Sequence, residues 1–591
     1  MEISKLEKWF LKNKKEDFTK IAQDNHISEV LARLLVNRGL TSQKEIQDFI
    51  HSNTDCMHDP HLLKDVDFAC ELLEEKINQN ARIRIVGDYD VDGVVSTYLL
   101  YTALQRVGAN VDYEIPERMK DGYGININII KAAKEDQVDT IITCDNGIAA
   151  VEQVRYAKEE NMTVIVTDHH DIPFVETENG REEVLPHADA VVNPKQQACS
   201  YPFPNICGAV VAYKLIEVLY ERFGIEKVET KRLLAYAAIA TVCDVMDLVD
   251  ENRAIVKYGL ELLKNTENQG LEALMELHQI NTFRLSAYHL GFIIGPCLNA
   301  SGRLETAKIG LELLLEKNRE EARRKAVAIK ELNDKRKDMT ARGVEEAIEQ
   351  IETTSLIKDK VLVVYLPECH ESLAGIIAGR IRERYHKPAI VLTKALEGVK
   401  GSARSIEQYN MFEELTTCKQ YLDKFGGHPM AAGLSLKEEN IEPLRQALNE
   451  TTQLTEEDLI NKVSIDVLLP LGYVKEDLVE ELELLEPFGK GNEKPVFAER
   501  NLVVKKADIL GKNRNTLKLK VENQYGKCMD ALYFNQIDHF NEYLSEKYGN
   551  NEVNKMYRGV PNSIRLSVVY YPNINEYNGM KTPQIIIQGI Q

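Results

Sequence analysis

The chain has 591 residues, 44% apolar and 28% charged, so it is too long for one core and has the composition of an ordinary globular protein of about four domains. A net charge of −20 excludes a globally cationic, histone-like body, and any nucleic-acid contact must come from a local basic groove. The ten cysteines form no CxxC pair and no regular spacing, which excludes a disulfide framework or structural zinc site and fits a reducing cytoplasm.

The N-terminus, MEISKLEKWFLKNKK, is charged throughout, and the longest uncharged stretch, from Leu285 to Gly302, is broken by Gly, Pro, His and Asn. Neither an export signal nor a membrane span is expected. Residues 1–80, including the sole tryptophan Trp9, carry no readable motif, and the plain expectation is a helical extension covering the lobe that follows. From about 81 to 195, apolar runs alternate with helical patterns, the mark of βα units on a parallel sheet. The strands read RIRIVG (82 to 87), VDTIITC (138 to 144), TVIVT (163 to 167) and ADAVV (188 to 192), each short, β-branched and almost continuously apolar, as buried parallel strands are.

Residues 205 to 300 lose that alternation and read as mainly helical, completing a first lobe at 81–307. A proline-free, charged segment follows at 308–352, where Ala322, Ala326, Ile329 and Leu332 recur at helical spacing, so one long connecting helix is expected. A second α/β lobe at 353–456 contains KVLVVYLP, a helix around Leu373 to Tyr385, and AIVLT. From 457 to 591 the pattern is antiparallel β, in NLVVKKADIL, NTLKLKVE, SIRLSVVYY and PQIIIQGI, with turns at Gly511 to Asn515 and at Asn578-Gly579. A small Greek-key barrel of the oligonucleotide-binding type is the natural expectation.

The chemistry collects at strand ends. Asp88, Asp90 and Asp92, in GDYDVDG, follow RIRIVG directly; taken alone, they could equally be a solvated turn. The next strand ends in Asp145-Asn146-Gly147, and the one after it in Asp168-His169-His170. In an open parallel sheet the C-terminal strand ends share one edge, where the ligand crevice lies. A mixed set of carboxylates and imidazoles there suits two divalent cations such as manganese or magnesium. Asp244, after the apolar run AIATVC, reads in isolation as a helix-terminus residue. No GxxxxGK[ST] loop occurs, so ATP use is not indicated.

DYDVDG, CDNG, DHH and TVCDV, in that order, resemble the DHH phosphoesterase superfamily. Within it, PERMKDGYG, NPK, CGAVVAYKL, GPCLNASGRL, GSARS, FGGHPMAAG and LEPFGKGNEKPVF are similar to landmarks of the RecJ family of bacterial single-strand-specific exonucleases, over the chain from about residue 80 to its end. The resemblance implies a DHH parallel-sheet lobe, a long connecting helix, a DHH-associated α/β lobe and a C-terminal β-barrel of oligonucleotide-binding type. It implies a two-cation core of Asp88, Asp90, Asp92, Asp145, His169 and Asp244, with Asp145 and Asp244 in bridging positions and Asp90 and Asp92 ranked ahead of Asp88. His170 is implied on the scissile phosphate, Arg118, Ser402 and Arg404 on a 5′-terminal phosphate, and Tyr123 and His428 on the terminal nucleotide. Arg303 is a further phosphate contact, while Cys297 stands where relatives often carry arginine. In the tail, Lys505, Lys506, Lys512, Arg514, Lys518, Lys520, Tyr570, Tyr571 and Tyr577 are candidate single-strand contacts.

The expected activity is 5′ to 3′ hydrolysis of single-stranded DNA to 5′-mononucleotides with Mn2+ or Mg2+, in recombination and repair. A cytoplasmic monomer working with a single-strand-binding protein and a recombination helicase is the accompanying expectation. Two rivals are a phosphodiesterase of short oligonucleotides or cyclic dinucleotides, which would generally lack the LEPFGKGNEKPVF segment and β-rich tail, and a catalytically silent single-strand-binding scaffold, which would show eroded ligands.

Overall fold

The computed structural model describes residues 7–118, 120–177, 180–396, 398–511, 513–577 and 579–591; Lys512 and Asn578 lie outside them. The chain divides into two compact units, one of residues 53–459 with 489–491, the other of residues up to Ser52 with 460–488 and 492–591.

In the first unit the apolar pentads become β1 (Arg82–Val86), β2 (Asn110–Glu114), β3 (Thr140–Cys144), β4 (Thr163–Thr167) and β5 (Ala190–Val192), all parallel, in the order β2-β1-β3-β4-β5. Every residue of β3 is buried, as a central strand covered on both faces requires. From β1 the chain moves outward to β2 and returns to β3 on the other side, so the topological switch point lies between β1 and β3. Helix α1 (Val91–Arg106) leaves β1, and the almost uniformly apolar α2 (Gly208–Arg222) and α3 (Leu234–Cys243) pack against it in one core. Further on comes α4 (Gly295–Leu304).

The connecting segment is not one helix. A short helix, Lys308–Leu315, is followed by the 35-residue α5 (Arg319–Thr353). The break falls at Asn318, whose side chain accepts the Glu320 and Glu321 amides and starts the second helix. The second lobe contains β6 (Leu362–Tyr365), α6 (Ala374–Tyr385), β7 (Ala389–Lys394), β8 (Val399–Arg404), β9 (Lys424–His428) and β10 (Ala431–Leu436). Its sheet runs β9-β10-β8-β7-β6, with only β6 and β7 parallel.

The other unit corrects two expectations. Its sheet is mixed rather than antiparallel: β11 (Phe497–Leu510), β12 (Thr516–Glu522), β13 (Cys528–Phe534), β14 (Arg565–Tyr577) and β15 (Met580–Ile590) include a parallel β13/β15 pair. The pairings run β11-β12-β13-β15-β14, and β11 bends through two register shifts to pair with β14 as well. Second, residues 7–52 belong to this unit and not to the first. Strand Lys8–Leu11 pairs in parallel with Lys462–Ile465, and Leu31, Leu34, Leu35, Ile46 and Ile50 bury themselves in the same core as Val504, Leu517 and Leu566. Only residues 53–80 of the expected extension belong to the first unit.

Candidate active site

Four strand and helix ends carry the charged residues to the switch point. Asp90 caps α1, its carboxylate accepting the Gly93 amide at 3.1 Å. Asp92, in the first turn, accepts the amides of Gly208 (2.6 Å) and Ala209 (2.8 Å) at the start of α2, a helix with no side-chain cap of its own. The Asp92 carboxylate thus supplies both the acceptors and the negative charge that this helix N-terminus lacks. A Cβ at Gly208 would stand 2.7 Å from Cβ of Asp145, which is why the helix can begin this close to the site. Asp145 follows β3 in the left-handed conformation, φ +61°. Beside it the Asn146 amide donates to the carbonyls of Val86 (3.0 Å) and Cys144 (2.9 Å), tying the ends of β1 and β3 together. After β4, Asp168 accepts from the amides of His169 (2.7 Å), His170 (3.1 Å) and Ile148 (2.9 Å) and contacts Nδ1 of His170 at 2.8 Å. Asp244 is the residue at the C-terminal cap of α3.

Nε2 of His169 lies 3.1 Å from Oδ1 of Asp145, 3.6 Å from Oδ2 of Asp92 and 3.7 Å from Oδ2 of Asp244. Three overlapping sets, Asp145/His169/His170, Asp92/His169/Asp244 and Asp88/Asp90/Asp145, each bring ligand atoms within 4.8 Å of one another. Oδ1 of Asp88, Oδ1 of Asp145 and both ring nitrogens of His169 are buried without a hydrogen-bond partner. Burial, and then the charges of Asp92 and Asp90, push the Asp145 carboxyl well above its usual range and that of Asp244 up to about 8. Asp88 is raised by burial and by Asp90, whereas burial lowers His169 and keeps it neutral. Orphaned acceptors, crowded carboxylates and a neutral imidazole are what divalent cations need, and the charges of His170, Arg118 and Lys195 offset the crowding of Asp88 and Asp244 only in part. The donor set fits, with Asp88 and Asp90 in one candidate set and an oxygen of Asp88 free to take a cation.

His170 differs from its neighbour. Burial works against its charge, but the hydrogen bond and charge of Asp168 prevail and raise it to about 9. At neutral pH it is an imidazolium. The Tyr123 hydroxyl donates to the Asp145 carbonyl at 2.9 Å and lies 3.2 Å from Nε2 of His170. Its ring stands edge-on to Tyr89, over which the Arg118 guanidinium sits at 5.0 Å.

Facing this acidic cluster within the same unit is a cationic one. Arg303, on α4, donates to the Ser372 carbonyl of the second lobe at 2.8 Å. Burial, and then the charges of Arg118 and Arg336, lower it to about 10. Arg404, at the end of β8, is lowered by burial, Arg118 and Arg382. The start of α6 stands over Ser402 and Arg404: a Cβ at Gly375 would be 2.8 Å from the Arg404 guanidinium and 3.5 Å from Cβ of Ser402. Guanidinium groups crowded beside a helix start are chemically suited to an anion. Thus Arg118, Arg303, Ser402 and Arg404 come together. His428 does not join them; it is exposed, with Nδ1 3.8 Å from Asp171, a carboxylate held by Lys195 at 2.8 Å. Cys297 faces inward, its sulfur 3.3 Å from His278 and from Asn333.

The sequence brings Asp168 to the acidic edge without its part in holding His170, and gives Asn146, Lys195, Arg336 and Arg382 no role. The first three stand at strand ends, where the same rule that finds Asp145 would find them; the two arginines lie on helices that carry no motif. In the tail, Lys505, Lys506 and Lys518 are paired with Glu522, Asp508 and Asp530 at 2.7 to 3.0 Å. Tyr570 offers no ring face: it is fully buried, its hydroxyl donating to the Leu469 carbonyl at 2.5 Å. Tyr577 is 70% exposed.

Residues 82–241 match the DHH family N-terminal domain, 358–454 the DHHA1 domain and 465–589 the RecJ OB domain. The single-stranded-DNA-specific exonuclease RecJ of Bacillus subtilis (strain 168) is 36% identical over 586 residues, covering 98% of this chain and 70% of the relative. RecJ of Haemophilus influenzae is 33% identical over 583 residues, covering 95% of this chain and 96% of the relative. The crystal structure of RecJ in complex with Mn2+ from Thermus thermophilus superposes with a TM-score of 0.80 at 25% identity, covering 99% of this chain and 79% of that one. With the DHH, DHHA1 and RecJ OB domains in this order and with relatives of 33% and 36% identity along nearly its whole length, the chain belongs to the RecJ family.

Proposed function

We propose that this protein is a metal-dependent exonuclease that degrades single-stranded DNA from the 5′ end, releasing 5′-mononucleotides, in recombination and repair. One observation carries the reading: an acidic cluster with orphaned acceptors and an arginine pocket lie in one unit, with Asp90 close enough to Arg303 to raise its pKa against the neighbouring arginines. A cluster of the first kind handles a scissile phosphodiester; one of the second kind holds a terminal phosphate. The names carried by the relatives supply the substrate class.

Asp88, Asp90, Asp92, Asp145, His169 and Asp244 would hold two divalent cations, Mn2+ or Mg2+, whose Lewis acidity activates water and neutralises charge on the phosphoryl oxygens. The chain's own residues do the rest. His170, kept cationic by Asp168, donates to a non-bridging oxygen of the scissile phosphate, and Tyr123 fixes the backbone of Asp145 from above. Arg118, Arg303, Ser402 and Arg404 hold the 5′-terminal phosphate, so the next phosphodiester along the strand is presented to the acids. Water adds to that phosphorus, the bond to the leaving 3′ oxygen breaks, and a proton passes to that oxygen. We extend the proposal to a cytoplasmic monomer that meets its substrate alongside a single-strand-binding protein and a recombination helicase.

The test compares 5′-phosphate, 5′-hydroxyl, 5′-blocked and 3′-blocked single strands, with wild type and Arg404→Ala. Charge-assisted hydrogen bonds contribute about 1.5–3 kcal/mol each, so the wild type should prefer the 5′-phosphate by about ten- to a hundredfold, and Arg404→Ala should lose most of that preference. Degradation stopped by the 3′ block and not by the 5′ block would reverse the polarity.

A further inference from the structure

Asp244 owes its position to a helix end that is under strain. The α3 helix closes with the Val245 amide donating to the Val242 carbonyl (3.3 Å) and the Met246 amide to the Thr241 carbonyl (3.1 Å). That is a Schellman closure, in which the residue after the cap turns left-handed and is usually glycine. Here it is Val245, at φ +56°. A β-branched residue in that region is a genuine outlier and persists only where its surroundings impose it. Packing on Val245 itself does not: the residue is 59% exposed.

The restraint comes from the residues just beyond it. The Leu248 amide donates to the Lys490 carbonyl at 2.8 Å, and Nζ of Lys490 lies 3.3 Å from Oδ1 of Asp247. The chain on either side of Gly489-Lys490-Gly491 belongs to the other unit, but these three residues are part of this one. The two glycines have no room for side chains: a Cβ at Gly489 would be 2.6 Å from Leu248, and one at Gly491, φ +72°, would be 3.0 Å from Cβ of Asp247. On the other side the Asn252 amide holds the Asp247 carbonyl at 3.1 Å and the Asn205 carbonyl at 2.8 Å. Segment 246–248 is thereby pinned from two directions, and Val245 is left to turn in the only way that joins it to α3.

We propose that Gly489-Lys490-Gly491, the FGKGN part of the LEPFGKGNEKPVF motif, is a positioning element for Asp244 and so sets the affinity of the acidic cluster for divalent cations. The inference rests on the assignment of Asp244 as a cation ligand. Lys490 touches neither substrate nor cation in this role; it acts through the 246–248 segment.

The experiment titrates the metal-free full-length chain with Mn2+ and reads free Mn2+ by electron paramagnetic resonance, with single-strand binding in EDTA and thermal unfolding as controls. Gly491→Val should weaken Mn2+ binding by about tenfold while leaving strand binding in EDTA unchanged. Adding Val245→Gly should recover affinity to within about threefold of wild type, because glycine takes the left-handed turn without being held there. If Gly491→Val does not fold, Lys490→Glu, at a largely exposed side chain, serves instead: like charge against Asp247 should weaken Mn2+ binding about threefold. A folded Gly491→Val or Lys490→Glu protein with wild-type Mn2+ affinity overturns the proposal, as does a loss that Val245→Gly fails to restore. A wild type that binds no Mn2+ overturns the cation assignment itself, before any variant is compared.

Discussion

The unit formed by residues 53–459 contains two crowds of like charge, and they are strained in opposite senses. At the switch point, burial and mutual repulsion drive Asp88, Asp145 and Asp244 toward protonation and leave acceptor oxygens without partners. In the second crowd the same two forces drive Arg303 and Arg404 toward deprotonation. Crowded charges of one sign favour a ligand of the other sign, and the two crowds therefore favour different ligands: cations in one, an anion in the other. On the proposed reading, a 5′-phosphorylated strand running across them would meet both.

The largest effect should come from breaking the acidic crowd. Asp145 belongs to two of the three potential ligand sets and presents an orphaned buried oxygen. Asp145→Ala should reduce hydrolysis by at least about a thousandfold, while single-strand binding, which the proposed reading assigns to the arginines and the β-rich unit, stays near normal. EDTA should abolish wild-type turnover and Mn2+ restore it. Near-normal hydrolysis by Asp145→Ala, scored on end-labelled single strands, would remove that residue from the core.

The two crowds are not equally legible in the sequence. Each acid of DYDVDG, CDNG and DHH stands at the end of a short apolar strand, and parallel strand ends share an edge, so pattern and order alone bring these three motifs together. The arginines come from a loop (Arg118), α4 (Arg303), α5 (Arg336), α6 (Arg382) and β8 (Arg404), and no local pattern relates them. Arg118, Arg303 and Arg404 are reached through family resemblance alone, and Arg336 lies on a helix whose polar face reads as solvated. The misplacement of residues 7–52 has the same cause: nothing local in Leu31, Leu34 or Ile46 says which core they join, and their partners, such as Val504 and Leu566, lie at the far end of the chain. Alternation marks β11, β12, β14 and β15 as strands, whereas the parallel β13/β15 pairing depends on two helices, Ile537–Tyr548 and Asn550–Arg558, that carry the chain from β13 to β14 and have no signal in a β-type pattern.

A smaller effect separates the two histidines of the DHH motif. His169 is a neutral ligand candidate; His170 is a cation because Asp168 overrides its burial and raises it to about 9. A group acting as a cation is lost as pH rises through its pKa, so hydrolysis should fall above about pH 9. Asp168→Asn removes the charge that lifts His170, and the alkaline limb of the rate profile should move down by about one unit or more, a loss of about tenfold at pH 9 with little change near pH 6. An unmoved limb would take His170 out of the proton-dependent step.

The smallest effect, and the one that sets the two crowds directly against each other, is on stability. Asp244 is raised to about 8 in the folded chain, far above its value when unfolded. The folded state therefore binds the extra proton, and metal-free stability should fall as pH rises from about 4 to about 8. A divalent cation takes the place of that proton. Mn2+ at a hundred times its pH 8 dissociation constant contributes about 2.7 kcal/mol, a few degrees in a unit of this size, and the same concentration should contribute less at pH 5.5, where the carboxyls already hold protons. Arg303, though lowered, remains at about 10, so it is charged across that whole range in folded and unfolded chains alike. Sulfate should raise the melting temperature of the metal-free protein by a smaller amount that does not change between pH 5.5 and 8, and Arg404→Ala should reduce the sulfate gain while leaving the Mn2+ gain intact. Differential scanning calorimetry at the two pH values, with each ion, separates the clusters by sign. Equal pH dependence for cation and anion would mean that they are one coupled network and not two sites.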